Sequence, residues 1–284
     1  MPRPAVATAL LSILLFSGIF TALIAVTLAE ETSLLLSNRP LEPIFLAFIF
    51  SATLGAYNLH WHWSPPENHE TIRKTFLRLW PKAHLYLALL GIAGTLLLIP
   101  ALSKDLLFIL PAILFTFLYT APKSPYPALH FLRSFSMAKT FYLASVWTYV
   151  TTILPLLHRS PGGDWNASLF IMARFFLIYA ICLLFDWRDK EADAAQGIDS
   201  MVSGLSKKGL RRIFTLCLSI YTLALIALAS RGWSIRDTLI LLTPGVLCTL
   251  LYPRAISSRS EILFYGLIDG SLILPYLLRL FLPF

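Results

Sequence analysis

The sequence has few charged residues for its length. Of its 284 residues, 13% are charged and 57% are hydrophobic, and the mean hydropathy is +0.72. A soluble globular domain carries about 25% charged residues, which it needs to cover its surface. This composition excludes a water-soluble enzyme, a disordered chain and a coiled coil. It predicts a polytopic membrane protein.

Cysteine is also scarce. The three cysteines, Cys182, Cys217 and Cys248, all lie within apolar runs, and no two of them form a C-x-x-C pair. This spacing argues against a disulfide framework and against a zinc site built from cysteine. We therefore expect each cysteine to be a small buried hydrophobic residue.

Long apolar runs recur along the whole chain. A helix needs about 20 mostly apolar residues to cross a hydrocarbon core of about 30 Å, and backbone polar groups inside lipid must be satisfied within the helix. We interpret the first run as a retained helix, because it is longer than the apolar core of a signal peptide. The nine predicted spans lie near residues 6–28, 43–57, 83–101, 106–120, 139–157, 169–185, 213–229, 238–252 and 262–282.

The basic residues predict the orientation of these spans. Most of the 23 lysines and arginines lie before the first span or after the second, fourth, sixth and eighth. The positive-inside rule places those segments, with the amino terminus, in the cytoplasm. We expect an integral protein of the inner (plasma) membrane. The net charge of +8 then reflects topology and attraction to anionic lipid, and it does not indicate a nucleic-acid partner.

Three aspartates follow the sixth predicted span. Asp186, Asp189 and Asp193 are spaced i, i+3, i+7, so on a continuing helix they project from one face. Carboxylates grouped in this way repel one another unless a cation neutralises them, and oxygen ligands suit Mg²⁺ or Ca²⁺. The alternative is a solvated face at the membrane boundary, with Arg188 and Lys190 as internal partners.

A second polar segment follows the second predicted span. Its histidines and its carboxylate could bind a metal through nitrogen or oxygen. The alternative is that these are interfacial histidines flanked by tryptophans at the membrane boundary. The candidate residues here are Asn58, His60, His62, Glu67 and His69.

Basic residues and one tyrosine follow the fourth predicted span. Cations beside an acidic, metal-bearing site would suit a diphosphate, which carries charge on several oxygens. The alternative is that the cations are ordinary positive-inside anchors. The residues concerned are Tyr119, Lys123, Arg133 and Lys139.

Two charges fall inside apolar runs. Arg174 lies within the sixth predicted span and Asp269 within the ninth. Charges at such depth are costly and face the protein interior, so they suggest a functional site, a structural pair between helices, or a transport path. A transporter or channel is disfavoured, because the other polar residues concentrate at one membrane face and no inverted repeat is evident.

Together these features resemble the UbiA superfamily of intramembrane prenyltransferases. The strongest match is DWRDKEAD at residues 186–193, followed by Gly-Ile at 197–198, which resembles the second aspartate-rich motif of that family. The layout of nine helices and the pair Tyr119 and Lys123 also fit. The resemblance implies an all-α, polytopic membrane protein with nine transmembrane helices in a UbiA-like bundle, forming a single domain over residues 1–284.

The first motif of the family is degenerate in this chain. That motif reads Asn-Asp-x-x-Asp-x-x-x-Asp, whereas here Asn58 is followed by Leu59, His62 and Pro66 at the aspartate positions. Neutral histidine is a poor ligand for Mg²⁺, so this loss weakens the binding of a metal and a diphosphate.

The resemblance implies a divergent, Mg²⁺-dependent prenyltransferase, which transfers an isoprenoid chain from a prenyl diphosphate to a lipid-soluble acceptor. Asp186, Asp189 and Asp193 would be its catalytic, metal-binding residues. The alternative is a catalytically lapsed UbiA-like protein that binds an isoprenoid, quinone or pigment, or assists a partner enzyme. The implied substrate-binding residues are Asn58, His62, Tyr119, Lys123, Arg133 and Lys139.

Overall fold

The computed structural model describes residues 6–64, 71–120, 139–159, 164–195 and 201–282. Within these ranges every regular element is a helix, and the predicted all-α polytopic membrane protein is confirmed. The α-helices are α1 (Val6–Phe16), α2 (Ile19–Ser37), α3 (Pro43–Trp63), α4 (Ile72–Leu79), α5 (Ala83–Leu98), α6 (Leu106–Thr120), α7 (Lys139–Thr148), α8 (Leu154–Arg159), α9 (Trp165–Ala195), α10 (Lys207–Ser230), α11 (Ile235–Ala255) and α12 (Leu274–Phe281).

Short 3₁₀ and π segments join some of these helices. A 3₁₀ segment is wound more tightly than an α-helix, and a π segment is wound more widely. The 3₁₀ segments are Ile99–Asp105 and Asp269–Ile273, and the π segments are Tyr149–Ile153 and Ile262–Ile268.

Eight stretches in the described part of the chain are long and apolar enough to cross a membrane. The predicted third span and most of the fourth fall in one stretch of 35 residues, Ala83–Phe117. A crossing needs about 20 residues, so this stretch exceeds one crossing. It is interrupted at Ile99–Asp105, where Leu102 leaves helical dihedral angles (φ −109°, ψ 26°). Two of the nine predicted spans are therefore counted here as one stretch, which accounts for the number eight.

The first predicted span, 6–28, is divided in the structure. α1 ends at Phe16 and α2 begins at Ile19, and Gly18 between them has a φ of +77°. A Cβ atom at Gly18 would lie 2.6 Å from Nδ2 of Asn58. The break between α1 and α2 therefore depends on glycine both for its backbone conformation and for its close contact with Asn58.

The substitution Gly18→Ala is expected to lower the free energy of unfolding by at least about 2 kcal/mol, because it combines a left-handed conformation with a steric clash. Gly232→Ala is the matched control. Gly232 also has a positive φ, +93°, but nothing lies within 4 Å of its Cβ position. Unfolding of the detergent-solubilised variants in rising concentrations of SDS measures both losses. Equal losses would show that the contact with Asn58 has no effect on stability.

The structure divides into two compact units. The first comprises Met1–Val26 and Glu42–Leu132, and the second comprises Thr27–Leu41 and Arg133–Phe284. In the first unit α3 packs along α5. A Cβ atom at Gly91 of α5 would lie 2.3 Å from the backbone nitrogen of α3 residue Gly55. These two glycines let the helix backbones touch, as small residues commonly do between membrane helices. The single domain over 1–284 stays a prediction.

The second unit is organised around α9. This helix packs against α7, α10 and α11, while α11 also contacts α10 and α12. With 31 residues, α9 is about 46 Å long, against a hydrocarbon core of about 30 Å. Its middle turns are buried and apolar, as at Ala180, Leu183 and Leu184. Its last turns, which carry the three aspartates, therefore extend towards the polar boundary of the membrane.

Candidate functional site

Asp186 and Asp193 of α9 share one lysine. The Nζ atom of Lys139 lies 3.4 Å from Oδ1 of Asp186 and 2.8 Å from Oδ2 of Asp193. Lys139 is the first residue of α7. The hydroxyl group of the next residue, Thr140, donates a hydrogen bond to Oδ2 of Asp186. Both aspartate side chains are only 7% exposed. The packing of α7 on α9 therefore brings together three of the residues singled out from the sequence, and it adds Thr140.

Asp189 faces a different cation. Arg188 donates two hydrogen bonds to it, from Nε to Oδ1 at 2.7 Å and from Nη2 to Oδ2 at 3.0 Å. The helical repeat explains why Asp189 points away from the other two aspartates. Asp193, seven residues after Asp186, lies within about 20° of its direction around the helix axis, whereas Asp189, three residues after it, lies about 60° away. Asp193 is thus aligned with Asp186 along α9, and Asp189 is turned aside.

Arg188 is buried among aromatic rings. Its side chain is 6% exposed, and its guanidinium carbon lies 4.9 Å from the ring centre of Phe185 and 4.8 Å from those of Phe264 and Tyr265. Its Nη2 also donates to the Tyr265 hydroxyl at 2.9 Å. The attraction between a cation and a ring face strengthens when water is excluded. The buried Arg188 is therefore held by several contacts, while its partner Asp189 is 32% exposed.

The other polar residues of segment 186–193 attach α9 to its neighbours. Lys190 donates to the backbone carbonyl of Leu205 at 3.2 Å, and its Nζ lies 5.1 Å from the ring centre of Trp187. Glu191 forms an exposed ion pair with Arg259. These contacts account for both residues without a ligand.

The oxygen donors of the site match the chemistry of a hard divalent cation. Oδ1 of Asp186 and Oδ2 of Asp193 are at most about 6.2 Å apart, the sum of their distances to Lys139 Nζ. Mg²⁺ in proteins is commonly held by only one or two carboxylates, with phosphate oxygens and water completing its shell. Asp186 and Asp193 are the residues that would hold such an ion, and in this structure the Lys139 ammonium contacts both of them. Within the described ranges, however, no group of three or more His, Cys, Asp or Glu residues is arranged to hold a metal.

Asn58, the residue retained from the first motif, is fully buried in the first unit. Its Nδ2 donates to the backbone carbonyls of Ser17 and Leu54, each at 2.9 Å. Its Oδ1 accepts from Nδ1 of His84 at 2.9 Å. The amide therefore uses both of its polar atoms inside this unit, where it stabilises the break between α1 and α2.

The histidines that follow Asn58 lie on the last turn of α3. His62 is exposed and His60 is half-buried. Two residues apart on a helix, they point to nearly opposite sides and do not converge. Arg73 caps the carboxyl-terminal end of α3. Its Nη2 donates hydrogen bonds to the backbone carbonyls of Trp61 at 2.9 Å and Ser64 at 2.7 Å.

Several predicted site residues lie outside the described part of the chain. They belong to the segments that follow the second predicted span and the fourth. These are Glu67, His69, Lys123, Arg133 and the side chain of Tyr119.

Arg174 has a buried partner that the sequence reasoning missed. Its Nη2 lies 2.7 Å from Oε2 of Glu31 on α2, and the two side chains are 4% and 1% exposed. The neighbouring Thr32 donates to the backbone carbonyls of Leu28 and Thr151. Of the alternatives for Arg174, the structure shows the pair between helices. Adjacent acidic residues beside an apolar run were the available signal for Glu31.

Asp269 begins a 3₁₀ segment just after the π segment that carries Tyr265. Its carboxylate lies within electrostatic range of Arg188. Both Tyr265 and Asp269 therefore belong to the surroundings of Arg188. Nothing in the spacing along the chain marks Tyr265 as a partner of Arg188, because 77 residues separate them.

The fold and the site define a class: an all-helical membrane protein with an aspartate–lysine site at the end of one long helix. A model of the UbiA prenyltransferase family matches residues 81–261, more than half of the chain. The chain belongs to the UbiA prenyltransferase family. No curated protein and no solved structure matches it. The matched segment includes Lys139 and residues 186–193, and it begins after Asn58 and His62.

Proposed function

We propose that the protein is a divergent intramembrane prenyltransferase that uses a prenyl diphosphate and a lipid-soluble acceptor. The observation that carries this proposal is the pair Asp186 and Asp193 around Lys139, within the segment that matches the family. The apolar helices provide surroundings in which an isoprenoid chain dissolves. A location in the inner (plasma) membrane is part of the proposal. The positive-inside rule supports an orientation with the aspartate end of α9 in the cytoplasm.

The reaction is a substitution at the first carbon of the isoprenoid. The bond between this carbon and the diphosphate oxygen breaks, and the diphosphate leaves with the electron pair. A nucleophilic atom of the acceptor supplies the pair for the new bond and then loses its proton. The products are the prenylated acceptor, diphosphate and one proton, so atoms and charge balance.

Asp186 and Asp193 would hold Mg²⁺, which supplies positive charge against the diphosphate as it leaves. Lys139 would donate a charge-assisted hydrogen bond to a phosphate oxygen. Asp189 is proposed as a third carboxylate of the site, held in place by Arg188. The substrate-binding roles of Tyr119, Lys123 and Arg133 stay predictions.

Turnover of labelled prenyl diphosphates tests this function. The purified protein is reconstituted in liposomes with prenyl diphosphates of graded chain length and a panel of aromatic acceptors, with Mg²⁺ or with EDTA. We expect labelled product and free diphosphate that both depend on Mg²⁺. The proposal fails if neither product nor diphosphate appears under any of these conditions.

A second candidate function is favoured by the first motif. Leu59, His62 and Pro66 replace its aspartates, and Asn58 is engaged within its own unit. A catalytically lapsed protein of this family would bind an isoprenoid, quinone or pigment, or assist a partner enzyme. Mass spectrometry of the purified protein would then find a bound lipid, and EDTA would not release it.

A further inference from the structure

Lys139 lies between the two carboxylates that the proposed function assigns to a metal ion. Its Nζ contacts Asp186 and Asp193, its side chain is 17% exposed, and the aspartates are more deeply buried at 7%. Without a cation between them, two carboxylates this close would repel each other strongly. The ammonium therefore neutralises the site from within the chain.

We infer that Lys139 is an exchangeable counter-cation, which holds Asp186 and Asp193 together and must leave them before a divalent cation can bind. This inference rests on the proposed function for the identity of the incoming ion. It goes beyond that function because it makes the affinity for metal depend on a residue that does not bind metal. After the exchange, the ammonium can contact a phosphate oxygen.

The contrast with Arg188 shows why Lys139 is the exchangeable one. Lysine carries a point charge on a flexible four-carbon stem, whereas the planar guanidinium of arginine forms rigid paired bonds. Arg188 is bound to Asp189 through two nitrogens, contacts Tyr265 and is enclosed by rings. Displacing Arg188 would break all of these contacts at once.

Thr140 keeps the site in place when the lysine moves. Its hydroxyl donates to Oδ2 of Asp186, while Lys139 approaches Oδ1 of the same carboxylate. The hydroxyl bond does not depend on the ammonium. Asp186 therefore keeps its orientation, and the oxygen that Lys139 releases becomes available to a metal ion.

Binding of Mn²⁺ to the full chain in detergent tests the exchange, with the free ion measured by electron paramagnetic resonance. Lys139→Met removes the competing charge and is expected to bind Mn²⁺ roughly tenfold more tightly or better, the size expected for losing a hydrogen bond between charged groups. Lys139→Arg keeps a positive charge and is expected to bind no more tightly than the unsubstituted protein. Unchanged or weaker binding by Lys139→Met would overturn the inference.

A second measurement uses the unsubstituted protein, so it does not depend on a variant that folds poorly. An amine-reactive reagent is added with and without Mn²⁺ at one pH, and modified lysines are quantified by mass spectrometry. Labelling of Lys139 is expected to rise several-fold with Mn²⁺, while the exposed Lys207 stays constant. Equal labelling of Lys139 in both samples would contradict the exchange.

These outcomes are separable from those of the transfer assay. If prenyl transfer depends on Mg²⁺ but Lys139→Met binds Mn²⁺ no more tightly, only the exchange fails. If Lys139→Met binds Mn²⁺ more tightly but the unsubstituted protein transfers no prenyl group, the exchange holds and the transferase function fails.

Discussion

Replacing Arg174 with methionine is expected to lower the free energy of unfolding by about 3–5 kcal/mol. The substitution leaves Glu31 with a buried carboxylate, 1% exposed, and removes its 2.7 Å partner. Breaking a buried ion pair from one side is costly because the remaining charge is shielded from water and loses its hydrogen-bonded partner. Unfolding in mixed micelles with rising SDS, followed by tryptophan fluorescence, measures the loss.

The double variant Glu31→Gln/Arg174→Met separates the charge from the packing. Replacing both members of a buried pair with uncharged groups often changes the free energy of unfolding little. We therefore expect the double variant to regain most of the stability that Arg174→Met loses. Arg259→Met is the matched control for arginine removal. Its pair with Glu191 is 53% and 77% exposed, and exposed pairs contribute less than about 1 kcal/mol. A loss for Arg174→Met no larger than that of the control would contradict the prediction.

The buried ion pair also illustrates which features of the fold could not be predicted from the sequence. Most spans could be predicted because each apolar run is long enough for a membrane crossing. The first predicted span ends at residue 28, just before the acidic Glu30 and Glu31. In the structure α2 continues to Ser37. Both acids are buried, Glu31 against Arg174 and Glu30 as the acceptor for the backbone nitrogen of Leu41. A partner 143 residues away leaves no trace in local hydropathy.

The break at Gly18 was missed for a related reason. The residues on both sides are apolar, so hydropathy runs through the position without interruption. Only the glycine itself marks the site, and a lone glycine in an apolar run is a weak signal. The Asn58 side chain, which was interpreted as a remnant of a ligand-binding motif, is what satisfies the Ser17 carbonyl at this break.

The candidate site was predictable in part. The spacing of Asp186, Asp189 and Asp193 predicts one helical face, and the structure aligns the first and third of them while Asp189 turns to Arg188. Lys139 was singled out as a cation for a diphosphate. Its contact with the aspartates depends on the packing of α7 against α9, which spacing along the chain does not reveal.

Asp186→Asn is expected to lower kcat/KM for prenyl transfer by about 10²–10³-fold, the loss typical of removing one preorganised electrostatic group. Asparagine keeps an oxygen that can accept from Thr140, and Lys139 keeps its 2.8 Å bond to Asp193. The fold should therefore persist while the charge that faces the metal is halved. The same substitution is expected to weaken Mn²⁺ binding.

Two matched variants test whether the effect is specific to Asp186. Glu191→Gln removes a carboxylate from the same segment of α9, but this side chain is 77% exposed and pairs only weakly with Arg259, so transfer should be unchanged. Asp189→Asn leaves the pair around Lys139 intact, and its loss of Mn²⁺ affinity should be smaller than that of Asp186→Asn. Equal losses of affinity for these two variants would show that all three aspartates hold the ion together, and that Asp189 leaves Arg188 when the metal binds.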